Sequence, residues 1–244
     1  MKTETKESDG AKKFASVFGS PGARVRFVGF ARIFWPYMLV VFILGWLAHC
    51  AWPVKVPSFP LMASVVALLL TAAAAFGAAE RRFESYLKGA KGEEITAREL
   101  SLLETGWDVF HGISTSDGSD FDHIVVGPDA IFLIETKNWS GVVRIENGAL
   151  RLNGATVSRS PVAQARRGAR DLSRLLEQAL PAGLEIAKIV CFASNNLEGE
   201  EARIDDVQFC NVRGLRSVIM ESPPQPLDAP RRQLVAEILA RRTM

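Results

Sequence analysis

Two uncharged, mostly apolar runs, Ile33–Trp52 and Leu61–Ala79, constrain this chain more than any other feature of it. Each is close to the roughly 20 apolar residues that span a hydrocarbon core as a helix. Trp35, Tyr37, Trp46 and Trp52 lie near the ends of the first run, where amphipathic rings favour the membrane–water interface. Only the short segment PVKVPSFP separates the runs. Two such runs in tandem favour a transmembrane hairpin over a pair of buried core helices. Lys2, Lys6, Lys12, Lys13, Arg24, Arg26 and Arg32 precede the first run, and Arg81, Arg82, Lys88 and Lys91 follow the second. The connection holds only Lys55. Positive loops stay inside, so both termini are expected in the cytoplasm, at an inner membrane of bacterial type. His49 and Cys50 read as interfacial residues.

The sequence shows no lipidation motif and no cleavable signal peptide. The three cysteines, Cys50, Cys191 and Cys210, form no CxxC or Cys/His cluster. That spacing argues against a zinc site or a disulfide framework and fits a reducing compartment. The expected organisation is a basic N-terminal tail (1–32), the hairpin (33–79), a linker (80–88), a globular domain (89–200) and a strand/helix extension (201–244).

From Glu80 onward the chain carries 21 Lys and Arg against 24 Asp and Glu. A domain slightly acidic overall must meet any polyanion with a local patch. Periodicity predicts a helix over Gly92–Glu104, with Ile95, Leu102 and Leu103 on one stripe. Strands follow at Trp107–Ile113, Phe121–Val126 and Ala130–Lys137, with weaker ones at Val142–Glu146 and Ala149–Leu152. Pro161 opens an amphipathic helix to about Leu180. Then come strands at Glu185–Ala193 and Val207–Val212 and short helices at Gly214–Glu221 and Pro230–Arg242. The order α-β-β-β-α-β implies an α/β fold, a single mixed sheet flanked by helices.

Within this order, FDHIVVGPDAIFLIETK carries its charges at the ends of two apolar strands. With Pro128-Asp129 at the tip of a tight turn, Gly127 pairs with Ala130, and each further pair sums to 257. Asp122 then opposes Glu135 on one face, with Cβ atoms about 4.5–5.5 Å apart. Lys137, two residues on, shares that face. Two carboxylates at this spacing suit Mg²⁺ or Mn²⁺, and the Thr136 carbonyl is a further candidate ligand. A lysine beside the ion can orient water and stabilise charge on a phosphate. The alternative is a charged strand end with Lys137 paired to its acids. His123 points to the other face and reads as a packed core histidine.

GEEITARE at 92–99, DHIVVGPDAIFLIETKNWSG at 122–141 and SPVAQARRGARDL at 160–172 together resemble the nuclease-related domain (NERD) family. The resemblance covers roughly Gly89–Leu180. It implies a restriction-endonuclease-like core of the PD-(D/E)xK type, with metal held by Asp122 and Glu135 and with Lys137 catalytic. It also implies metal-binding help from Glu93, which shares a helix face with Ala97 and Leu100, whereas Glu94 falls on the solvated face. Gln164 matches the family's helical glutamine and would position water or a phosphate. Arg166, Arg170 and Arg174 recur at four-residue spacing and are candidate phosphate contacts, against the reading of a solvated helix face. Trp139 reads as sheet-edge packing more than as a base stack. The expectation is therefore a membrane-anchored nuclease, Mg²⁺-dependent and acting on DNA. RNA stays open as a substrate, as does homo-oligomerisation. The alternative is a non-catalytic nucleic-acid-binding or scaffold domain of nuclease-like fold.

Overall fold

The computed structural model describes residues 14–51, 58–115, 120–181, 183–199, 202–225 and 227–243. The chain divides into two compact units, Gly22–Lys91 and the segments on either side of it.

The unit Gly22–Lys91 holds helix α1 (Ala23–Ala51) and most of helix α2 (Ser58–Leu100). The apolar runs fall on these helices, and Trp35, Phe42 and Trp46 of α1 and Leu70 of α2 are exposed. The expected transmembrane pair is nevertheless not supported: among the described residues no helix is long and apolar enough to cross a membrane. The second helix does not end with its apolar run. It continues to Leu100 through a segment that includes Glu84, Lys88, Glu94 and Arg98. Trp52, Lys55 and the basic residues Lys2, Lys6, Lys12 and Lys13 lie outside the described residues.

The other unit is built on a seven-stranded mixed sheet of order β1-β2-β3-β4-β8-β11-β10. Its strands are β1 (Ser16–Phe18), β2 (Asp108–Ser114), β3 (Asp120–Val126), β4 (Ile131–Lys137), β8 (Ala187–Phe192), β10 (Arg203–Ile204) and β11 (Val207–Asn211). β2, β3 and β4 are antiparallel neighbours, whereas β4, β8 and β11 run parallel. The expectation of a single sheet is corrected here. β5 (Val143–Glu146) and β6 (Ala149–Leu152) leave the main sheet and pair with β7 (Ala155–Thr156) and β9 (Leu197–Glu198) in a second, four-stranded sheet. Between β4 and β5 the NWSG segment leaves strand conformation, with Gly141 at φ +100°. Asn196 Nδ2 fixes that exit by donating to the carbonyls of Trp139 (3.0 Å) and Gly141 (2.6 Å).

The β3–β4 turn follows the expected geometry. The Gly127 amide donates to the Ala130 carbonyl at 2.8 Å, and His123↔Ile134 through Val126↔Ile131 keep the sum of 257. Gly127 is required because a Cβ there would lie 2.4 Å from the Trp107 ring.

Helices cover both faces of the sheet. Helix α3 (Pro161–Leu175) begins at Ser160, whose hydroxyl accepts from the Ala163 amide, and Pro161 suits its first turn. Its Ala165, Ala169 and Leu172 are buried at three- and four-residue spacing. Ala169 and Leu172 join Phe110, Ile124 and Leu133 and, from helix α5 (Ala229–Ala240), Val235 and Leu239. The opposite face packs Val109, Val125, Phe132 and Ile134 against Leu100 and Leu103 and against Leu215 and Ile219 of helix α4 (Leu215–Met220). The buried stripe near the end of α2 is thus Thr96, Ala97, Leu100 and Leu103. Ile95 and Leu102, expected on it, are exposed. Thr96 and Leu103 keep the same seven-residue spacing one position later, so the buried stripe is turned by one residue from the expected one.

One place in the sheet breaks the alternation of faces. β2 and β3 pair at a constant sum of 234, but the register skips Gly112 and Asp122. Gly112 adopts φ +62° within its strand, a conformation that favours glycine. Phe110 and Ile113, an odd number of positions apart, enter the same core cluster, as do Phe121 and Ile124. Both strands therefore change phase at the Gly112–Asp122 level.

Candidate active site

The phase change sits beside the carboxyl end of β4, where the expected side chains gather. Antiparallel alternation would next join Phe121 to Thr136 by backbone bonds. Instead the ladder ends at His123–Ile134, and the Thr136 amide donates to Asp122 Oδ2 at 2.7 Å. Lys137 Nζ donates to Glu135 Oε1 at 2.6 Å and to Gln164 Oε1 at 2.9 Å. Asp122, Glu135, Lys137 and Gln164, distant in sequence, thus form one cluster at the end of β3–β4 and the start of α3.

Glu93 joins them electrostatically. Burial raises the Asp122 carboxyl well above the usual carboxylate range, and the charges of Glu135 and then Glu93 push it further. Lys137 and the Thr136 amide pull it back, without cancelling the rise. Part of the Asp122 surface still reaches solvent, yet protein surrounds its carboxyl closely enough for burial to dominate. Glu93 is half-buried and Glu94 exposed, as the helical wheel required. Gly92 brings this turn of α2 close to the end of β4: a Cβ there would lie 2.7 Å from Asn138 Cβ. Ser194 Oγ donates to Asn138 Oδ1 and so ties β8's end to the same rim. Trp139 packs on Phe192 with ring centroids 5.6 Å apart, the sheet-packing role expected of it.

The arginines do not converge on this cluster. Arg166 is held by Asp205 (2.9 Å) and Asp206 (2.6 Å), and Arg174 lies 3.3 Å from Asp171. With Arg170 they line a shallow basin shared with Glu185 and Lys188, at the start of β8. Lys188 and Phe192 are four residues apart on β8, so about 13 Å separates the basin from the level of Lys137.

The sequence reading missed His111. Its Nδ1 lies 2.7 Å from His123 Nδ1, and His123 Nε2 lies 3.1 Å from Thr136 Oγ1. His123 is in the core as expected, but it is hydrogen-bonded there rather than merely packed. Burial lowers the His111 pKa to about 4 and, with repulsion from His111, takes His123 well below 6.5. Both shifts favour neutral rings at pH 7. The signal was available: on strands paired at a sum of 234, histidines at 111 and 123 are opposite one another.

Residues 88–193 match the nuclease-related domain. This span contains every residue of the cluster and ends at the close of β8. An uncharacterized protein of Bacillus anthracis is 31% identical over 104 residues, 38% of this chain and 49% of that protein. The chain thus spans about half the length of the curated relative it matches. No solved structure matches the chain.

The cluster within residues 88–193 has the donor chemistry of a divalent-cation site. Asp122 and Glu135 present hard oxygen donors, the class that Mg²⁺ and Mn²⁺ prefer. Burial first, and then the charges of Glu135 and Glu93, disfavour the charged form of Asp122, and a bound cation would offset both. Among the described residues no group of three or more His, Cys, Asp or Glu side chains is placed to hold an ion by itself. The fit is therefore to an ion held by one or two carboxylates and completed by water and phosphate oxygens, the usual habit of Mg²⁺.

Proposed function

We propose that this chain is a divalent-metal-dependent nuclease that hydrolyses phosphodiester bonds in DNA. The observation that carries the reading is Lys137 Nζ, shared between Glu135 and Gln164 beside an Asp122 whose pKa is raised by burial and then by Glu135 and Glu93. Asp122 and Glu135, with the Thr136 carbonyl, are the residues that would hold Mg²⁺ or Mn²⁺, and Glu93 would assist through water. When bound, the ion supplies charge neutralisation at the attacked phosphate. Lys137 orients the attacking water and donates to the oxygens on which charge develops. Gln164, exposed at the first turn of α3, fixes the ammonium and offers its amide to water or phosphate. Arg170, exposed on the same helix, contacts the phosphate backbone away from the cut.

The exposed Trp35, Phe42, Trp46 and Leu70 support association of the Gly22–Lys91 unit with a membrane surface. A second reading, a non-catalytic binding domain, is favoured by the closed Lys137–Glu135 ion pair. Cleavage assays decide between them. The full chain should cut double- or single-stranded DNA with Mg²⁺ or Mn²⁺ and stop with chelator. RNA cleavage alone would move the substrate class, and no cleavage of any nucleic acid would leave the binding reading.

A further inference from the structure

Five residues, one from each of five neighbouring strands, lay a polar row across the sheet beneath the turn of α2 that follows Glu93. His111 opposes His123 on β2 and β3, Thr136 opposes Cys191 on β4 and β8, and Cys191 opposes Cys210 on β11. All five are buried, in the layer that also holds Leu100 and Leu103. Thr96, also buried, lies over the row with Oγ1 3.9 Å from Cys191 Sγ. Polar side chains in such a layer are costly unless they are hydrogen-bonded. Three of them form a directed chain that ends on the peptide holding Asp122.

The direction of the chain follows from donor counting. One of the two facing Nδ1 atoms must carry the hydrogen. If His123 carried it, His111 would bear its hydrogen on Nε2, which is buried and without a partner among the described residues. If His111 carries it, that orphan is only a lone pair, and His123 presents Nε2–H to Thr136 Oγ1. Buried N–H groups left without partners are rare, so the second pattern is the stable one.

We propose that His111 and His123 are positioning residues, a buried chain His111 Nδ1–H···Nδ1 His123 Nε2–H···Oγ1 Thr136 that fixes the Thr136 peptide on Asp122. The proposal rests on the nuclease reading for its effect on catalysis but not for the hydrogen bonds themselves. Thr136 is held from both ends of its residue, by its hydroxyl on one face of the sheet and by its amide on Asp122 at the other. A free Thr136 rotamer would let the peptide turn and release the carboxylate from its orientation. Outer-layer partners of metal-holding side chains act in this way, and their loss commonly costs about 10- to 100-fold in activity.

Long-range ¹H–¹⁵N spectra of the full chain, labelled at histidine, report which nitrogen of each ring is protonated. The expected pattern is Nδ1–H on His111 and Nε2–H on His123. Thr136→Val keeps the branched shape but loses the acceptor. It should lower kcat by about 10- to 100-fold with KM nearly unchanged, and should move the residue-136 amide resonance. Thr136→Ser, which restores the hydroxyl, should recover most of the rate. Nε2–H on His111, or wild-type kcat in Thr136→Val, overturns the proposal. If the wild-type chain cleaves nothing, the nuclease reading falls, and the ring tautomers and the residue-136 amide decide the positioning alone.

Discussion

The two ends of α3 and the strands beneath it carry similar charges arranged to opposite effect. At the carboxyl end of β4, Asp122 is pushed up by burial and by Glu135 and Glu93. Beside the start of β8, burial also acts against Asp206, but hydrogen bonds from Arg166 and Lys188 overcome it and the carboxyl ends up below its ordinary value. Hydrogen bonds to Asp206 and Asp205 in turn bring Arg166 above its own ordinary value. One cluster leaves an acid strained in its charged form, and the other leaves every partner settled. An ionic cluster that has finished its own neutralisation has little left to offer a ligand. Perturbation upward is the better mark of a working carboxylate.

Removing each aspartate's charge should separate the two clusters most strongly. Asp122→Asn is expected to lower metal-dependent cleavage by about 10²–10³-fold. In metal-free buffer at pH 8 the same change should raise the melting temperature, since it removes a repelled charge. Asp206→Asn should do the reverse, leaving cleavage within about twofold and lowering stability by under about 1 kcal/mol, because the pair is half-exposed. Calorimetry and single-turnover assays on the same preparations read both effects. A melting temperature that falls in Asp122→Asn would dissolve the contrast.

Acid should reach the first end of the sheet through its histidines. A His111 pKa depressed from 6.5 to about 4 contributes stability that is present above pH 6.5 and is lost as pH falls toward 4. The full contribution is about 3 kcal/mol. Asp122, raised, works in the opposite direction over acid pH, so the wild-type slope alone is ambiguous. Urea denaturation of wild type and His111→Leu at pH 7 and pH 4 isolates the histidine. The wild type should lose about 3 kcal/mol more than the variant over that interval.

Close packing gives a third, smaller handle. Gly127→Ala places a methyl against the Trp107 ring and should cost about 1–3 kcal/mol in stability without altering cleavage per folded molecule. Gly92→Ala presses on Asn138 at the rim of the cluster, and its cost should instead appear as a several-fold fall in kcat. Equal loss of rate in both variants would mean that neither reports on the site.

The smallest effect belongs to the arginines. Arg170→Ala should reduce the salt dependence of DNA binding by a slope of about 0.9, the release of one counterion, while sparing the chemical step. Arg166→Ala should change the slope less, because its guanidinium is already engaged by Asp205 and Asp206.

The hairpin that builds the cluster was legible in the sequence because its turn chemistry is local and its period is two. Gly-Pro-Asp fixed the register as far as His123–Ile134, and the period of two placed Glu135 and Lys137 on one face; Asp122 joins them where the ladder ends, through the Thr136 amide. The choice of Glu93 over Glu94 needed only helical geometry. What escaped notice depends on partners far away in the chain. β1 pairs with β2 across some ninety residues, and β9 and β10 are two residues each, too short to leave a periodic trace. β5 and β6 were placed by their own alternation, which says nothing about which sheet they join. Arg166 looked like a member of a free stripe because Asp205 and Asp206 are some forty positions downstream.

The change of phase at Gly112 and Asp122 has a consequence for how this sheet handles information. A regular strand keeps its two faces independent, since neighbours along it report to opposite layers. Here the carboxylate on one side and the imidazole chain on the other meet within a single peptide unit, so the wall between the layers is one residue thick. Occupancy at Asp122 should then be readable from the far side, as a shift in the ring nitrogens of His123 or in the thiol of Cys191, without any probe placed beside the carboxylates.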